Sequence, residues 1–254
     1  MPEVYDRCLG PALFHPFAVE VARRAARLAS REVLELAAGT GVATRELVAA
    51  LPGAAVTATD LNRAMVVWGA RAVPQAHWAV ADAQRLPFAP SPFDLVACQF
   101  GVMFFPDRPA AFAQARRVLA PGGRLLFTTW DAVERHGFDR AVMAGVRHAF
   151  PLDPPLFLVN VPHGYHDVDR VVADVRAGGF TDVEVDTVTL TGHARSATDI
   201  AVGFCTGSPL RAGIESRADL RTATALVEEV VTAELGTGPV TAEMTAYVVE
   251  ARRS

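Results

Sequence analysis

The stretch Val33-Leu34-Glu35-Leu36-Ala37-Ala38-Gly39-Thr40-Gly41-Val42-Ala43-Thr44 constrains this chain more than any other. A short apolar run with an acid near its end breaks into a small-residue turn holding two glycines, then resumes with helical spacing. The change of hydrophobic period predicts strand, tight turn, helix. Glycine in such a turn lets a ligand approach backbone amides at a helix N-terminus, where a Cβ would stand in the way. About twenty residues on, Ala54-Ala55-Val56-Thr57-Ala58-Thr59 forms a second apolar run ending in Asp60. An acid at the tip of the second strand of a βαβ unit is placed to accept hydrogen bonds from ribose hydroxyls. Turn and acid together argue for an adenosine-containing cofactor.

The details of the turn narrow the choice. A dinucleotide fingerprint, G-x-G-x-x-G, would have its third glycine where Thr44 stands. A Walker loop needs Gly-Lys-Ser/Thr, and the chain has no lysine: all 24 of its basic residues are arginine. Glu35, Gly39 and Gly41 instead match E/D-x-G-x-G-x-G, with Ala37 replacing the first glycine. Three more segments follow in order: Val80-Ala81-Asp82-Ala83-Gln84-Arg85-Leu86-Pro87-Phe88, then Phe93 to Phe100 with Phe104-Phe105-Pro106-Asp107, then Leu119-Ala120-Pro121-Gly122-Gly123 leading into Arg124–Trp130.

These four motifs, spanning 33–130, resemble the class I S-adenosylmethionine (SAM)-dependent methyltransferases, closest to their ubiquinone-biosynthesis-like small-molecule group. The resemblance implies an α/β fold: a Rossmann-like, seven-stranded, mostly parallel sheet with helices on both faces and a helical or loop lid. It also implies that the last strand runs antiparallel between the fifth and sixth, and that Asp82 binds the adenine amino group. The candidate cofactor set is Tyr5, Glu35, Ala37, Gly39, Gly41, Asp60, Leu61, Met65, Asp82, Ala83, Gln99 and Phe100, holding SAM and releasing S-adenosyl-L-homocysteine.

The whole chain, 1–254, reads as one methyltransferase domain. Residues 1–31 form an N-terminal cap with a break at Gly10-Pro11 and a helix over 19–29. Residues 33–130 form the SAM-binding core, 131–166 a lid insertion, and 167–254 the C-terminal part of sheet and helices. Within the lid, a helix over 135–150 precedes a proline-studded apolar loop, 151–166. Proline and glycine stops, with Asp107 as a cap, punctuate the alternating strands and helices. A sixth strand is expected over 183–190 and a last one over 244–250.

Charge and cysteine usage exclude several classes. A net charge of −4 gives no electrostatic footprint for nucleic acid. The segment after the fourth strand, Gln99-Phe100-Gly101-Val102, lacks the Asn/Asp-Pro-Pro-Tyr signature of enzymes that methylate nucleobase amines. No apolar run reaches the roughly 18 to 20 residues that span a bilayer. Cys8, Cys98 and Cys205 have neither metal-ligand spacing nor a disulfide pattern. A cytoplasmic enzyme of secondary metabolism, without a metal, is the expectation; a homodimer is left open.

Methyl transfer from a sulfonium is an in-line displacement with a neutral leaving group, so alignment and exclusion of water supply much of the acceleration. A base is needed only where the acceptor stays protonated. His15, His136, His163, His166 and His193 are the histidines open to that role, and none is assigned as catalytic. The expected reaction is methylation of a small, partly apolar molecule, at oxygen first, with nitrogen and carbon left open. Tyr5, Phe104, the 135–150 helix and the 151–166 loop are expected to cover the methyl end of the cofactor. Two alternatives stand beside this: a cyclase-type enzyme that binds SAM without transferring its methyl, and a nicotinamide-dependent oxidoreductase.

Overall fold

A computed structural model describes residues 2–254. Its order of elements is α1 (Pro2–Val4), a π-helix (Tyr5–Phe14), α2 (His15–Arg27), β1 (Glu32–Glu35), α3 (Val42–Ala50), β2 (Ala55–Asp60), α4 (Arg63–Ala72), β3 (His77–Val80), β4 (Phe93–Gln99), a 3-10 turn (Val102–Phe104), α5 (Arg108–Val118), β5 (Leu119–Trp130), a 3-10 turn (Val133–Arg135), α6 (Gly137–Ala149), α7 (Phe157–Asn160), α8 (Val168–Ala177), β6 (Asp182–Ala194), α9 (Ala197–Gly207), α10 (Leu210–Glu215), α11 (Leu220–Leu235) and β7 (Val240–Arg252). The seven strands form one sheet in the order β3-β2-β1-β4-β5-β7-β6. Pairings from β3 through β5 are parallel, and β7 runs antiparallel to β5, with Leu126 opposite Glu250. This is the expected Rossmann-like methyltransferase sheet, including the inserted last strand.

The described residues divide into two compact units: 2–16, 131–164 and 189–245 form one, and 17–130, 165–188 and 246–254 the other. In the second unit, alternation along β5 sends consecutive residues to opposite faces. Leu126 joins Val21 and Ala25 of α2, Leu47 of α3 and Val33, Val56 and Leu95 of the strands in one buried cluster. Phe127 points the other way and packs on Phe112 of α5, ring centroids 5.2 Å apart. Val171 and Val175 of α8 are also fully buried, and α8 packs on α5. The first unit is helical: α6 and α9 pack on α11, and the π-helix on α9. Gly145 lets α6 approach the backbone of α11 closely, since a Cβ there would lie 2.9 Å from Val227 Cα.

Local sequence accounts for five of the helix starts. Asn62, Asp107, Asp167, Ser196 and Asp219 each accept a backbone N–H at an N-terminus, as short polar caps do. Three expectations are corrected. Gly10-Pro11 does not break the leading segment; the chain continues as a ten-residue π-helix, with His15 N–H donating to Gly10 O, and α2 starts at His15 rather than at 19. Pro11 lacks the amide that ordinary winding would use, and the wider turn accommodates it. The strands expected over 183–190 and 244–250 are longer, Asp182–Ala194 and Val240–Arg252, because the two are sheet neighbours and pairing continues past the apolar stretch.

Candidate functional site

The second unit builds a cradle at the carboxyl ends of β1, β2, β3 and β4. The sheet reverses its order between β1 and β4, the place where open α/β sheets bind ligands. After β1 the backbone passes through left-handed conformations at Ala37 (φ 52°), Gly39 (φ 57°) and Gly41 (φ 90°), and Gly41 caps α3. A Cβ on Gly39 would meet no atom within 4 Å, so the turn is open on that side. Gly41 is closed in instead: a Cβ there would touch Trp78 and Val73 at 3.2 Å.

Asp60 braces the turn. Its Oδ2 accepts Gly39 N–H at 2.9 Å and its Oδ1 accepts Asn62 N–H at 2.8 Å. Its carbonyl takes Ala81 N–H at 3.1 Å, which brings the Asp82 loop alongside. Asp82 Oδ1 accepts Gln84 N–H at 2.8 Å, and Gln84 Oε1 accepts Asp107 N–H at 2.7 Å. Leu61 is 71% exposed at the rim while Ala83 is buried; Met65 is half-buried in the first turn of α4.

Glu35 closes the floor. It is buried, and its Oε2 has no hydrogen-bond partner in the protein. Burial pushes its carboxyl up to about 8; the Thr44 hydroxyl facing it opposes part of that rise and the Asp60 charge adds to it.

The end of β4 supplies a second turn. Phe100 has φ 52°, unusual for a bulky side chain. Its N–H donates to Thr128 Oγ1 at 3.0 Å and to Thr128 O at 3.3 Å. Its ring stacks on Trp130 at 3.5 Å between centroids, with Phe17 edge-on to both. Gly101 follows so closely against the first turn that a Cβ would lie 2.5 Å from Ala37 Cβ. Of the expected set, Glu35, Ala37, Gly39, Gly41, Asp60, Leu61, Met65, Asp82, Ala83, Gln99 and Phe100 lie in this unit. Tyr5 belongs to the other, stacked on Phe14 at 5.0 Å. Sequence reasoning missed the roles of Gly101, Thr128 and Trp130, whose partners are distant in the chain, and that of Thr44, which faces Glu35 from the start of α3.

The first unit disposes of two histidines. His136 Nδ1 lies 2.5 Å from Asp139 Oδ2, and His163 Nε2 lies 3.2 Å from Asp139 Oδ1. His163 Nδ1 bonds Asp131 O at 2.6 Å. All three side chains are buried. Burial acts to raise the Asp139 carboxyl, but the two imidazoles outweigh it and hold the group well below the usual range. Burial likewise acts to lower His163, and Asp139 reverses this, leaving the imidazole raised. His163 is therefore an anchor of the 151–166 segment. That segment is helical at Phe157–Asn160 and buried at Pro162, His163 and Tyr165, so it is not one open loop. No group of three or more metal-binding side chains occurs among the described residues.

Comparison with known proteins agrees with this geometry. The methyltransferase-domain family matches residues 33–123. The ubiquinone/menaquinone biosynthesis C-methyltransferase UbiE of Paracoccus denitrificans is 32% identical over 169 residues, which cover 61% of this chain and 68% of that one. The demethylmenaquinone methyltransferase of Mycolicibacterium vanbaalenii is 34% identical over 176 residues, covering 63% and 75%. The chain belongs to the class I SAM-dependent methyltransferases, in the ubiquinone-biosynthesis-like group. The crystal structure of YcgJ from Bacillus subtilis shares the fold, with a TM-score of 0.61 at 17% identity over 94% of this chain and 98% of that one. SAM is the cofactor, and the protein is a methyltransferase; neither the nicotinamide nor the cyclase reading is favoured. Among the described residues no helix is long and apolar enough to cross a membrane.

Proposed function

We propose that this methyltransferase acts on a small, partly apolar acceptor and holds its cofactor on the cradle formed by Glu35, Ala37, Gly39, Gly41, Asp60, Leu61, Met65, Asp82, Ala83, Gln99 and Phe100. The observation that carries the reading is the open side of Gly39 beside the braced Asp60 carboxylate. A buried carboxyl with an unpartnered oxygen and a turn without a Cβ suit a ligand that is both cationic and bulky. When bound, SAM supplies an electrophilic methyl on a sulfonium.

The chain's own residues then have distinct tasks. Asp60 keeps lone pairs for ribose hydroxyls after serving Gly39 and Asn62. Asp82, fixed by its own Asx turn, accepts from the adenine amino group while Leu61 and Ala83 line the ring. Glu35 offers negative charge to the cationic end. Phe104, 48% exposed on the turn after β4, offers an apolar surface to the acceptor. Oxygen is the first acceptor atom expected from the sequence. The names of the relatives, a C-methyltransferase and a demethylmenaquinone methyltransferase, bring an electron-rich ring carbon beside it.

Labelled SAM with a panel of phenols, naphthohydroquinones, amines and alcohols, read by mass spectrometry for the gain of one methyl, tests the reaction. NMR of the product then separates O- from C-methylation. No methylated product from any member, with tight SAM binding intact, would overturn the proposal.

A further inference from the structure

Arg108 stands out among the side chains of the second unit that the cofactor reading leaves unused. Its guanidinium meets no carboxylate at ion-pair distance among the described residues. Instead Nη2 donates to Met103 O at 2.9 Å and Nε to Val102 O at 3.3 Å. Its central carbon sits 4.1 Å from the ring centroid of Tyr165. Tyr165 is 1% exposed and held at both ends: its hydroxyl donates to Asp174 Oδ2 at 2.9 Å, and its carbonyl accepts the Thr129 hydroxyl at 3.1 Å. Burial, with the Asp174 carboxylate, pushes the phenol up, so it stays a donor.

The turn fastened in this way is Val102–Phe104, a single 3-10 turn. Short 3-10 pieces have poor internal hydrogen-bond geometry and need outside support. Its Val102 and Met103 side chains are buried, whereas Phe104 is 48% exposed. Upstream, Phe100 is held by Thr128 and stacked on Trp130. The turn is therefore pinned at both ends: its entry by β5, its carbonyls by a planar fork lying against an aromatic face. A lysine would carry the same charge but could neither span two carbonyls nor lie flat on the ring.

We propose that Arg108 and Tyr165 are a positioning pair for the methyl acceptor: they fix the turn that presents Phe104, without touching the cofactor. The inference rests on the reading of Phe104 as acceptor-facing. Loosening the turn leaves Asp60, Asp82 and the Gly39 turn intact, so cofactor affinity is retained. The acceptor loses its wall and its alignment with the methyl, and displacements of about 1 Å at such a wall carry large rate penalties.

The test uses the full-length protein with the substitutions Arg108→Lys, Arg108→Met, Tyr165→Leu and Tyr165→Phe. SAM and S-adenosylhomocysteine affinities are measured by calorimetry, and KM and kcat with a short-chain prenyl naphthohydroquinone or whichever member of the acceptor panel the wild type methylates. Hydrogen exchange of amides 102–105 is followed in parallel and needs no acceptor. Arg108→Met and Tyr165→Leu should raise acceptor KM by about tenfold or more, with SAM affinity within about twofold. Their 102–105 amides should exchange faster. Arg108→Lys should fall between, and Tyr165→Phe, which keeps the ring, should restore near wild-type KM. Equal losses of SAM affinity and acceptor KM would reduce the pair to general scaffolding and overturn the proposal. So would unchanged KM or unchanged exchange in Arg108→Met. A wild type that methylates nothing in the panel, with exchange at 102–105 accelerated as expected, would instead fault the acceptor reading and leave the fastening role standing.

Discussion

Gly39 N–H donates to Asp60 Oδ2 at 2.9 Å, so the turn after β1 is held in shape by the same side chain proposed to bind ribose. Losing that carboxylate has two consequences: the ligand loses charged hydrogen bonds, and the turn loses its brace. Asp60→Ala should weaken SAM binding by about 1 to 3 kcal/mol, the range for a hydrogen bond to a charged group plus the group left unpaired. Asp60→Asn keeps one acceptor and should fall between. Calorimetry at constant salt checks both, and unchanged affinity in Asp60→Ala would remove Asp60 from the site.

Glu35 makes the protein sensitive to pH. Its folded-state value, about 8, lies above the ordinary 4.5, so the folded chain holds a proton that the unfolded chain gives up. The ionisation part of its burial cost is therefore absent below about 4.5, and stability declines as pH rises from there toward 8. Glu35→Gln removes the titrating group and should flatten that decline in urea titrations at pH 5, 7 and 8.5. A cationic ligand beside Glu35 should draw off the proton. Wild-type SAM affinity should therefore increase between pH 6 and 8, with proton release seen as buffer-dependent heats. Glu35→Gln should lose both signals.

The parts of the site legible in the sequence are those written locally. The strand–turn–helix period around Gly39 and Gly41, the acid ending β2 and the acidic Asp82 loop each lie within a dozen residues. The helix cap Asp107 was readable for the same reason. Ala37 was legible as a departure from the glycine pattern, but its φ of 52° was not, because only the adjoining Gly101 turn explains why a small residue sits there. The roles of Arg108 and Tyr165 depend on a contact across 57 positions, and no periodicity encodes it. The 151–166 segment read as one irregular apolar loop because prolines and aromatics look alike whether they face solvent or core. Leu152 is 98% exposed, while His163 and Tyr165 are 1%.

The Asp139 cluster yields a stability prediction separate from the cofactor. Its carboxylate is stabilised in the folded state, so its contribution is present above the unfolded value of 3.8 and disappears as pH falls below it. His163 is raised, so its contribution is present below 6.5 and fades as pH rises past that. Asp139→Asn removes the partner of two buried imidazoles and should destabilise the protein by about 3 to 5 kcal/mol. His136→Ala should do less harm than Asp139→Asn, because His163 keeps its bonds to Asp139 and Asp131. Chemical denaturation at pH 5.5 and 8 checks the order, and equal stability of wild type and Asp139→Asn at pH 5.5 would contradict the electrostatic account.

Ala37 and Gly101 should behave as one unit. A Cβ on Gly101 would lie 2.5 Å from Ala37 Cβ and 2.7 Å from Cys98 Sγ, closer than carbon and sulfur atoms can stand. Gly101→Ala should therefore push the turns after β1 and β4 apart, at about 1 to 3 kcal/mol for an overpacked interior. Ala37→Gly alone exchanges a left-handed alanine, which is strained by about 1 to 2 kcal/mol, for a residue that adopts φ 52° freely. The greater freedom of glycine in the unfolded chain offsets much of that gain, so its stability should stay near wild type. In the double variant Ala37→Gly/Gly101→Ala, the worst contact is gone, leaving the one with Cys98. A double-mutant cycle should then show the pair recovering more than about 0.5 kcal/mol relative to the sum of the single changes. SAM affinity should follow the same order, falling in Gly101→Ala and partly returning in the double variant, since the turn that holds Gly39 moves with Ala37. Strict additivity in both measurements would mean that the two turns yield independently and that Ala37 is small for some other reason.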